Sequence, residues 1–372
     1  MVKLNTSELV KSSYPPEDIT FLLKDLSNIQ IESSIEKREK SFQQGSHYSE
    51  SLPIEYLPSP EYTEVYHQAL KDSADHVAQL VGVLTRRVRK FANKDDVVLI
   101  SLARAGSPIG ILMKRYAQNF LKLNWPHFSI SILRGKGIDE EAVKTIRKLY
   151  PNSHLQFVDG WTGKGAIQKE LTKSVQKLNE LYQLQLNDDL AVLSDPGECA
   201  TLFGTRTDFL IPNACLNSTV SGLVSRTILN EQFIKPGDYH GAKYYAELEK
   251  DDVSNDFIAN ISKRFHDQEP LINKLAADFP ITNERTWRGM REVEFIAKKF
   301  YKTADISKVK PSVGETTRVL LRRKPFKILL RDVNKESVQH ILQLCREKNI
   351  PIEIVPDLFY LAIGLIESED RL

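Results

Sequence analysis

At the centre of the chain lies Leu155-Gln156-Phe157-Val158-Asp159-Gly160-Trp161-Thr162-Gly163-Lys164-Gly165, a short apolar run that ends in an acid and turns through glycines. The following residues 166–182 repeat apolar side chains at helical spacing. A strand that opens a helix through such a loop can bind a phosphate, because free backbone N–H groups and the positive helix terminus face the anion. It is not a Walker loop. An ordinary strand–turn–helix connection stays open.

The same alternation extends on both sides of this stretch. The predicted strands are 97–102, 128–133, 155–158 and 190–193, and the predicted helices are 74–91, 108–120, 140–149 and 166–182. Strands separated by such helices indicate βαβ units and a parallel sheet. Ligands bind at the carboxyl ends of the strands in such sheets.

The segments flanking this sheet set the predicted domain limits. Residues 1–75 are polar, with helical pieces at 19–26 and 31–42. After the sheet, apolar spacing predicts a helix over 215–229, and Pro280–Glu284 is the expected boundary. We therefore assign residues 1–284 to a first domain, with 1–75 as an N-terminal arm or hood, and residues 285–372 to a second. The second domain has predicted helices at 292–300, near 315 and at 335–348, strands at 326–330 and 352–355, and an apolar end at 358–366.

Composition favours an intracellular protein of two or three domains. The 372 residues contain no run near the roughly 20 apolar residues that span a bilayer. Residues 1–7 have no apolar signal core, so we expect a cytoplasmic protein without membrane contact. The widely spaced Cys199, Cys215 and Cys345 predict neither a disulfide framework nor a metal site built from protein side chains.

The net charge of +2 conceals an uneven distribution. Residues 298–331 contain eleven basic residues and only two acidic ones, Asp305 and Glu315. This window carries +9 and the rest of the chain about −7. Such a concentration attracts a polyanion. A solvated helix face is the alternative.

Charged residues follow three successive predicted strands. The first strand leads into Ala103-Arg104-Ala105-Gly106, where small residues allow close approach of an anion and the guanidinium can bind two of its oxygens. The second leads into Arg134-Gly135-Lys136-Gly137. The third leads into Asp159 and the Thr162–Gly165 loop. Together they suit a substrate with a phosphate, a polyol and a pyrophosphate.

In these motifs the chain resembles the type I phosphoribosyltransferases. It resembles more closely a bacterial family in which such a domain is fused to a C-terminal Pelota-type RNA-binding domain, found near tellurite-resistance stress operons. The stretches that carry the resemblance are His47-Tyr48-Ser49-Glu50, Ser101-Leu102-Ala103-Arg104-Ala105-Gly106-Ser107-Pro108, Arg134-Gly135-Lys136-Gly137-Ile138-Asp139, Phe157-Val158-Asp159-Gly160 and Ile211-Pro212-Asn213-Ala214-Cys215-Leu216-Asn217. The implied fold is α/β, a parallel-sheet phosphoribosyltransferase-like domain followed by a small α/β/α Pelota domain.

The resemblance implies transfer of ribose 5-phosphate from phosphoribosyl pyrophosphate to a nucleobase-like acceptor. The implied substrate-binding residues are Ala103, Arg104, Ala105, Gly106, Arg134, Lys136, Asp159, Gly160, Trp161, Thr162, Gly163, Lys164 and Gly165. Arg104 would hold pyrophosphate with its Mg²⁺, Asp159 the ribose, and Asp195 would act as a general base or cap a turn. The second acid usual in this motif is Gly160 here, which removes one ribose contact.

Two alternatives stay open at this point. The first is a non-catalytic sensor of phosphoribosyl pyrophosphate that acts through RNA, which Gly160 favours. The second is a cysteine protease using Cys215, because members of the family carry that name. A thiol at a helix start has a lowered pKa, but no histidine motif pairs with this one. The acceptor and the oligomeric state stay undetermined.

The basic window holds Gly314-Glu315-Thr316-Thr317-Arg318. This stretch looks like the Asn/Gly-Glu-Thr-Thr-Lys/Arg signature of the Pelota and kink-turn-binding ribosomal proteins, with Gly314 where Asn is frequent. The resemblance implies base contacts by Glu315 and Arg318. Arg322, Arg323 and Lys327 would bind phosphates, which position RNA without reading its sequence. A purely structural docking domain is the alternative.

Overall fold

The computed structural model describes residues 6–33, 47–55, 57–278 and 284–372. Its helices are α1 (Pro60–Ala92), α2 (Gly106–Tyr116), α3 (Glu140–Leu149), α4 (Ala166–Tyr182), α5 (Ser254–Ser262), α6 (Phe265–Asp278), α7 (Arg288–Phe300), α8 (Val313–Arg322) and α9 (Gln339–Glu347). Its strands are β1 (Thr20–Phe21), β2 (Lys24–Asp25), β3 (Glu32–Ser33), β4 (Leu52–Pro53), β5 (Val97–Leu102), β6 (His127–Ile130), β7 (Ile132–Leu133), β8 (Gly137–Ile138), β9 (His154–Trp161), β10 (Ala191–Ser194), β11 (Leu202–Thr205), β12 (Gly241–Ala242), β13 (Val309–Pro311), β14 (Pro325–Leu330), β15 (Ile352–Ile354) and β16 (Ala362–Ile366).

Six of the described strands form one parallel sheet in the order β1-β6-β5-β9-β10-β11. Strand β5 is buried along its whole length, as expected for a sheet covered on both faces. Leu102 pairs with Ile130, and Trp161 pairs with Ser194, so the carboxyl ends of four strands meet at one edge. The predicted parallel α/β sheet is confirmed, and this edge is where the candidate residues gather.

The C-terminal unit, residues 284–372, is built on a second sheet with the order β13-β16-β14-β15. Ser312 caps α8 by accepting a hydrogen bond from the Glu315 N–H at 3.4 Å. Its apolar side chains do not form a wholly separate core. Val313, Leu320 and Leu361 belong to the same buried cluster as Ile211 and Val220 of the N-terminal unit, the described residues up to 278.

The predicted helix at 215–229 is wrong. Short 3₁₀ turns at Pro212–Ala214 and Ser218–Val220 occupy this region instead, and Val224 and Ile228 form bridges to Tyr244 and Gly241. Gly222 and Leu223 have φ angles of +74° and +60°, a left-handed conformation that a right-handed helix cannot continue through. The apolar spacing reflects burial and not a helical repeat.

The predicted helical piece at 19–26 is also wrong, because β1 and β2 occupy it and pair with β6 and β12. Most of the predicted helix at 31–42 and most of the predicted boundary at 280–284 lie outside the described residues. Where the structure describes helices, each is too short or too polar to cross a bilayer. The cytoplasmic location stays a prediction.

Candidate functional site

Arg104 follows β5 but is engaged inside the protein. It forms an ion pair with Glu55 at 3.3 Å and donates a hydrogen bond to the Val224 carbonyl at 3.0 Å. Burial acts to raise the pKa of Glu55, but the Arg104 cation and the Ser218 donors lower it below its ordinary value. Gly106 packs so closely on the Val158 carbonyl that a side chain would overlap it. Arg104 therefore joins the arm to the segment after residue 215.

Arg134 and Lys136 lie at the exposed tip of a β7–β8 hairpin. Gly135 has φ +74° and donates its N–H to Glu170 on α4 at 2.8 Å. The His47 ring of the N-terminal arm lies beside this glycine. The hairpin therefore presents two cations at the carboxyl edge of the sheet.

Asp159 and Asp195 have different surroundings. Asp159 is partly buried and accepts the Gly160 N–H at 2.7 Å, and desolvation raises its pKa to about 7. Asp195 is fully buried and accepts hydrogen bonds from the Thr162 hydroxyl at 2.5 Å and the Cys199 N–H at 2.8 Å. Burial raises the pKa of Asp195 to about 6. These contacts fit the turn-capping alternative for Asp195.

The Thr162–Gly165 loop packs beneath the C-terminal unit. Lys164, 7% exposed, donates to the carbonyls of Ile306 and Val309, the latter at 3.5 Å. The Tyr360 hydroxyl donates to the Gly163 carbonyl at 3.2 Å. Burial, with the nearby Lys310 and Arg134 charges, lowers the pKa of Lys164 to about 7. The loop predicted to face a ligand therefore faces protein.

Asp208 and Arg322 link the two units around this loop. The Asp208 carboxylate accepts the Val313 N–H at 2.8 Å and the Leu361 N–H at 3.0 Å. Arg322 donates to the Cys215 carbonyl at 2.6 Å and to the Asn217 side chain. A cavity of about 10 Å³ remains between the units, room for about one water molecule. Sequence reasoning missed Asp208, because only contacts distant in sequence reveal its role.

The predicted RNA-contacting residues divide into two groups. Thr316 and Thr317 are fully buried, and Gly314 lies against Ala214. Those with exposed or partly exposed side chains are Glu315, Arg318, Arg323 and Lys327, the last paired with Glu353 at 2.7 Å. The start of α8, where the resemblance places base contacts, therefore serves as a docking face.

All three cysteines are buried and free. Burial raises the pKa of Cys215 to about 12 and that of Cys345 to about 11. Cys199 donates its S–H to the Gly197 carbonyl at 3.2 Å. The rings of His127, His240 and His340 bond to Ser101, Ser131 and Thr317. In the ranges that the structure describes, no histidine hydrogen-bonds to a thiol.

Comparison with known proteins relates both parts of the chain to described families. Residues 12–262 match the family described as tellurite-like stress resistance cysteine protease StiP, and residues 287–368 match the PELOTA RNA binding domain. The chain is similar to the cysteine protease StiP of Acinetobacter baylyi, with 34% identity over 367 residues, 96% of this chain and 94% of that protein.

These findings correct the predicted activity. The prediction of a phosphoribosyltransferase enzyme, with phosphoribosyl pyrophosphate as substrate, is wrong, because the matching family and relative carry the name of a cysteine protease. The association with tellurite-like stress resistance and the Pelota domain are confirmed. The Mg²⁺ prediction depended on that substrate and stays untested.

Proposed function

Because the chain belongs to the family of tellurite-like stress resistance cysteine protease StiP, we propose that it is a cysteine peptidase of a stress response, with Cys215 as its nucleophile. The observation that carries this assignment is electrostatic. The charged groups that act on Cys215, Arg322 and Arg318, are both cations and lower the pKa of its thiol against the effect of burial. Cations beside a thiol favour the nucleophilic thiolate.

The other two cysteines lack this environment. The carboxylates of Asp195 and Glu198 raise the pKa of Cys199, in addition to burial. Desolvation alone raises the pKa of Cys345. Cys215 is therefore the most suitable nucleophile among the three.

The arrangement described above is an inactive one under this proposal. Cys215 is 0% exposed, with Arg322 of the C-terminal unit bonded to its carbonyl. Activation requires a rearrangement that exposes the thiol and brings a base to it. The thiolate would then attack a peptide carbonyl, the amine would leave with the proton taken from the thiol, and water would hydrolyse the thioester.

Hydrolysis of a casein substrate and of a mixed peptide library by the full chain tests the assignment. We expect Cys215→Ser to abolish cleavage, whereas the matched variants Cys199→Ser and Cys345→Ser, also at buried thiols, retain it. Peptide cleavage that survives Cys215→Ser contradicts the assignment. Mass spectrometry of a trapped thioester or of an alkylated Cys215 supports it.

We also propose that the C-terminal unit binds RNA. Support comes from its match to the PELOTA RNA binding domain and from the basic residues between 298 and 331. Lys and Arg side chains contribute most of the affinity for RNA by releasing counterions from its phosphates.

We propose, finally, that the parallel sheet is a phosphoribosyltransferase-like scaffold without that activity. Strands β6, β5, β9, β10 and β11 are ordered 2-1-3-4-5 in chain sequence, one of the common doubly wound orders. Fold does not fix function, so this scaffold is compatible with a peptidase. Superposition of an experimental structure on type I phosphoribosyltransferases tests the proposal.

A further inference from the structure

Basic side chains from both units meet along the junction at the carboxyl edge of the main sheet. We name this strip the seam and define it by Arg134 of the β7–β8 hairpin and by Lys310, Arg318 and Arg323 of the C-terminal unit. Arg134 and Arg323 are exposed, and Lys310 and Arg318 are partly exposed. The seam is therefore accessible to a ligand from solvent.

The electrostatic coupling of these groups shows that they are close together. Besides burial, the charges of Arg134, Arg323 and Arg318 lower the pKa of Lys310. Arg134 and Lys310 both act in the same direction on Lys164, which lies beneath the seam. Contacts of the backbone agree, since Gly163 packs against Pro311, the neighbour of Lys310.

The seam has few acidic groups to balance these cations. Glu315 is 4.0 Å from Arg318, and Glu315 and Asp305 are the acids that act on Lys164. Like charges held together repel, and a bound anion relieves that repulsion. The Arg318 guanidinium also lies 6.0 Å from the centre of the partly exposed Trp161 ring, which offers a surface for stacking a base.

We propose that a single strand of RNA lies along the seam, with its phosphates bound by Arg134 from one unit and by Lys310, Arg318 and Arg323 from the other. The inference rests on the proposed RNA binding and gives it a location. It differs from the sequence-based expectation, in which the start of α8 reads bases, because that end of the helix is docked on the N-terminal unit.

Fluorescence anisotropy of a labelled 12-nucleotide single-stranded RNA, titrated with the full chain, tests this location. We expect Arg134→Glu and Arg323→Glu each to weaken binding about tenfold or more at low salt. Each should also reduce the slope of log affinity against log salt by about 0.7 for each phosphate that the variant no longer neutralises. Arg134→Lys, which retains the charge, should bind within about threefold of wild type.

Lys90→Glu is the matched control. It makes the same charge change on an exposed residue of α1, in an open concavity of about 540 Å³ that Arg86, Arg89 and Lys94 also line. This concavity adjoins the amino end of β5, at the edge of the sheet opposite the seam. We expect Lys90→Glu to bind RNA like wild type.

The outcomes separate the inference from the proposal beneath it. If the wild-type chain binds no RNA, the proposed RNA binding fails and the inference fails with it. If wild type binds but Arg134→Glu binds equally well, the composite seam is refuted while RNA binding stands. If Lys90→Glu weakens binding as much as Arg134→Glu, the effect is one of net charge and the seam is again refuted.

Proton linkage provides a second measurement. A bound strand of phosphates raises the pKa of Lys164 and Lys310, so binding near pH 7 takes up protons. We expect the calorimetric binding enthalpy to depend on the ionisation enthalpy of the buffer. A binding enthalpy that is the same in all buffers contradicts a strand beside these lysines.

Discussion

Replacing Asp208 with Asn should change the stability of the protein in a manner that depends on pH. The Asp208 carboxylate is 7% exposed and accepts N–H groups from Val313 and Leu361 of the C-terminal unit. Asn retains one acceptor oxygen and turns an NH₂ group toward the other donor. The missing bond and the unpaired buried N–H cost about 1–3 kcal/mol of the free energy of unfolding.

Protonation opposes this loss. Burial raises the pKa of Asp208 from 3.8 to about 7, so the folded protein retains a proton that the unfolded chain releases. The free energy of unfolding of wild type therefore falls as pH rises from about 4 to about 7. At about 1.4 kcal/mol per pKa unit, Asp208 contributes a loss of about 3 kcal/mol between pH 5 and pH 8. The variant lacks this contribution.

Urea denaturation of both proteins at pH 5 and pH 8 measures the effect. We expect Asp208→Asn to be less stable than wild type at pH 5, and the difference to vanish or reverse at pH 8. Other buried acids such as Asp139 act equally in both proteins, so the difference between them isolates Asp208. Asp357→Asn, an exposed control, should match wild type at both pH values. A stability difference that stays constant with pH would refute this reasoning.

Three further outcomes are expected. Gly197→Ala should lower the free energy of unfolding by about 1–3 kcal/mol, because its side chain would overlap the Gly163 carbonyl. Gly314→Ala, whose new carbon would lie 3.8 Å from the Ala214 side chain, should stay within about 0.5 kcal/mol of wild type in the same denaturation experiment. Arg322→Ala should accelerate maleimide labelling of Cys215 about tenfold or more by loosening the docked helix, with Cys345 as the unchanged internal reference in mass spectrometry. Equal acceleration at both thiols would indicate general unfolding instead.

Local pattern was sufficient for the main sheet and insufficient for the segments around it. Strands such as 97–102 and helices such as 140–149 combine strong periodicity with clear ends, and both are confirmed. The apolar residues between 215 and 229 have helical spacing too, yet all serve contacts with distant segments such as Tyr244 and Gly241. Periodicity reports burial, and only a regular repeat with compatible backbone angles makes a helix.

The candidate site shows a similar division. The order of the strands placed Arg104, Arg134 and Asp159 at one edge of the sheet, which follows from parallel topology. The covering of the Gly163 loop by Tyr360 joins residues 197 positions apart in the chain. No local propensity encodes such a contact. The expectation of an open ligand site therefore went beyond what the sequence could establish.

The apolar core shared by the two units has a consequence for how this protein can change over generations. Leu320 and Leu361 contribute to the same interior as Ile211, so each half supplies part of the other's shielding from water. Neither half can be exchanged for a distant counterpart without exposing oily surface and inviting aggregation. Mutations on the two facing surfaces must therefore compensate one another, and gene fusions that transplant only the RNA-binding half should yield insoluble products.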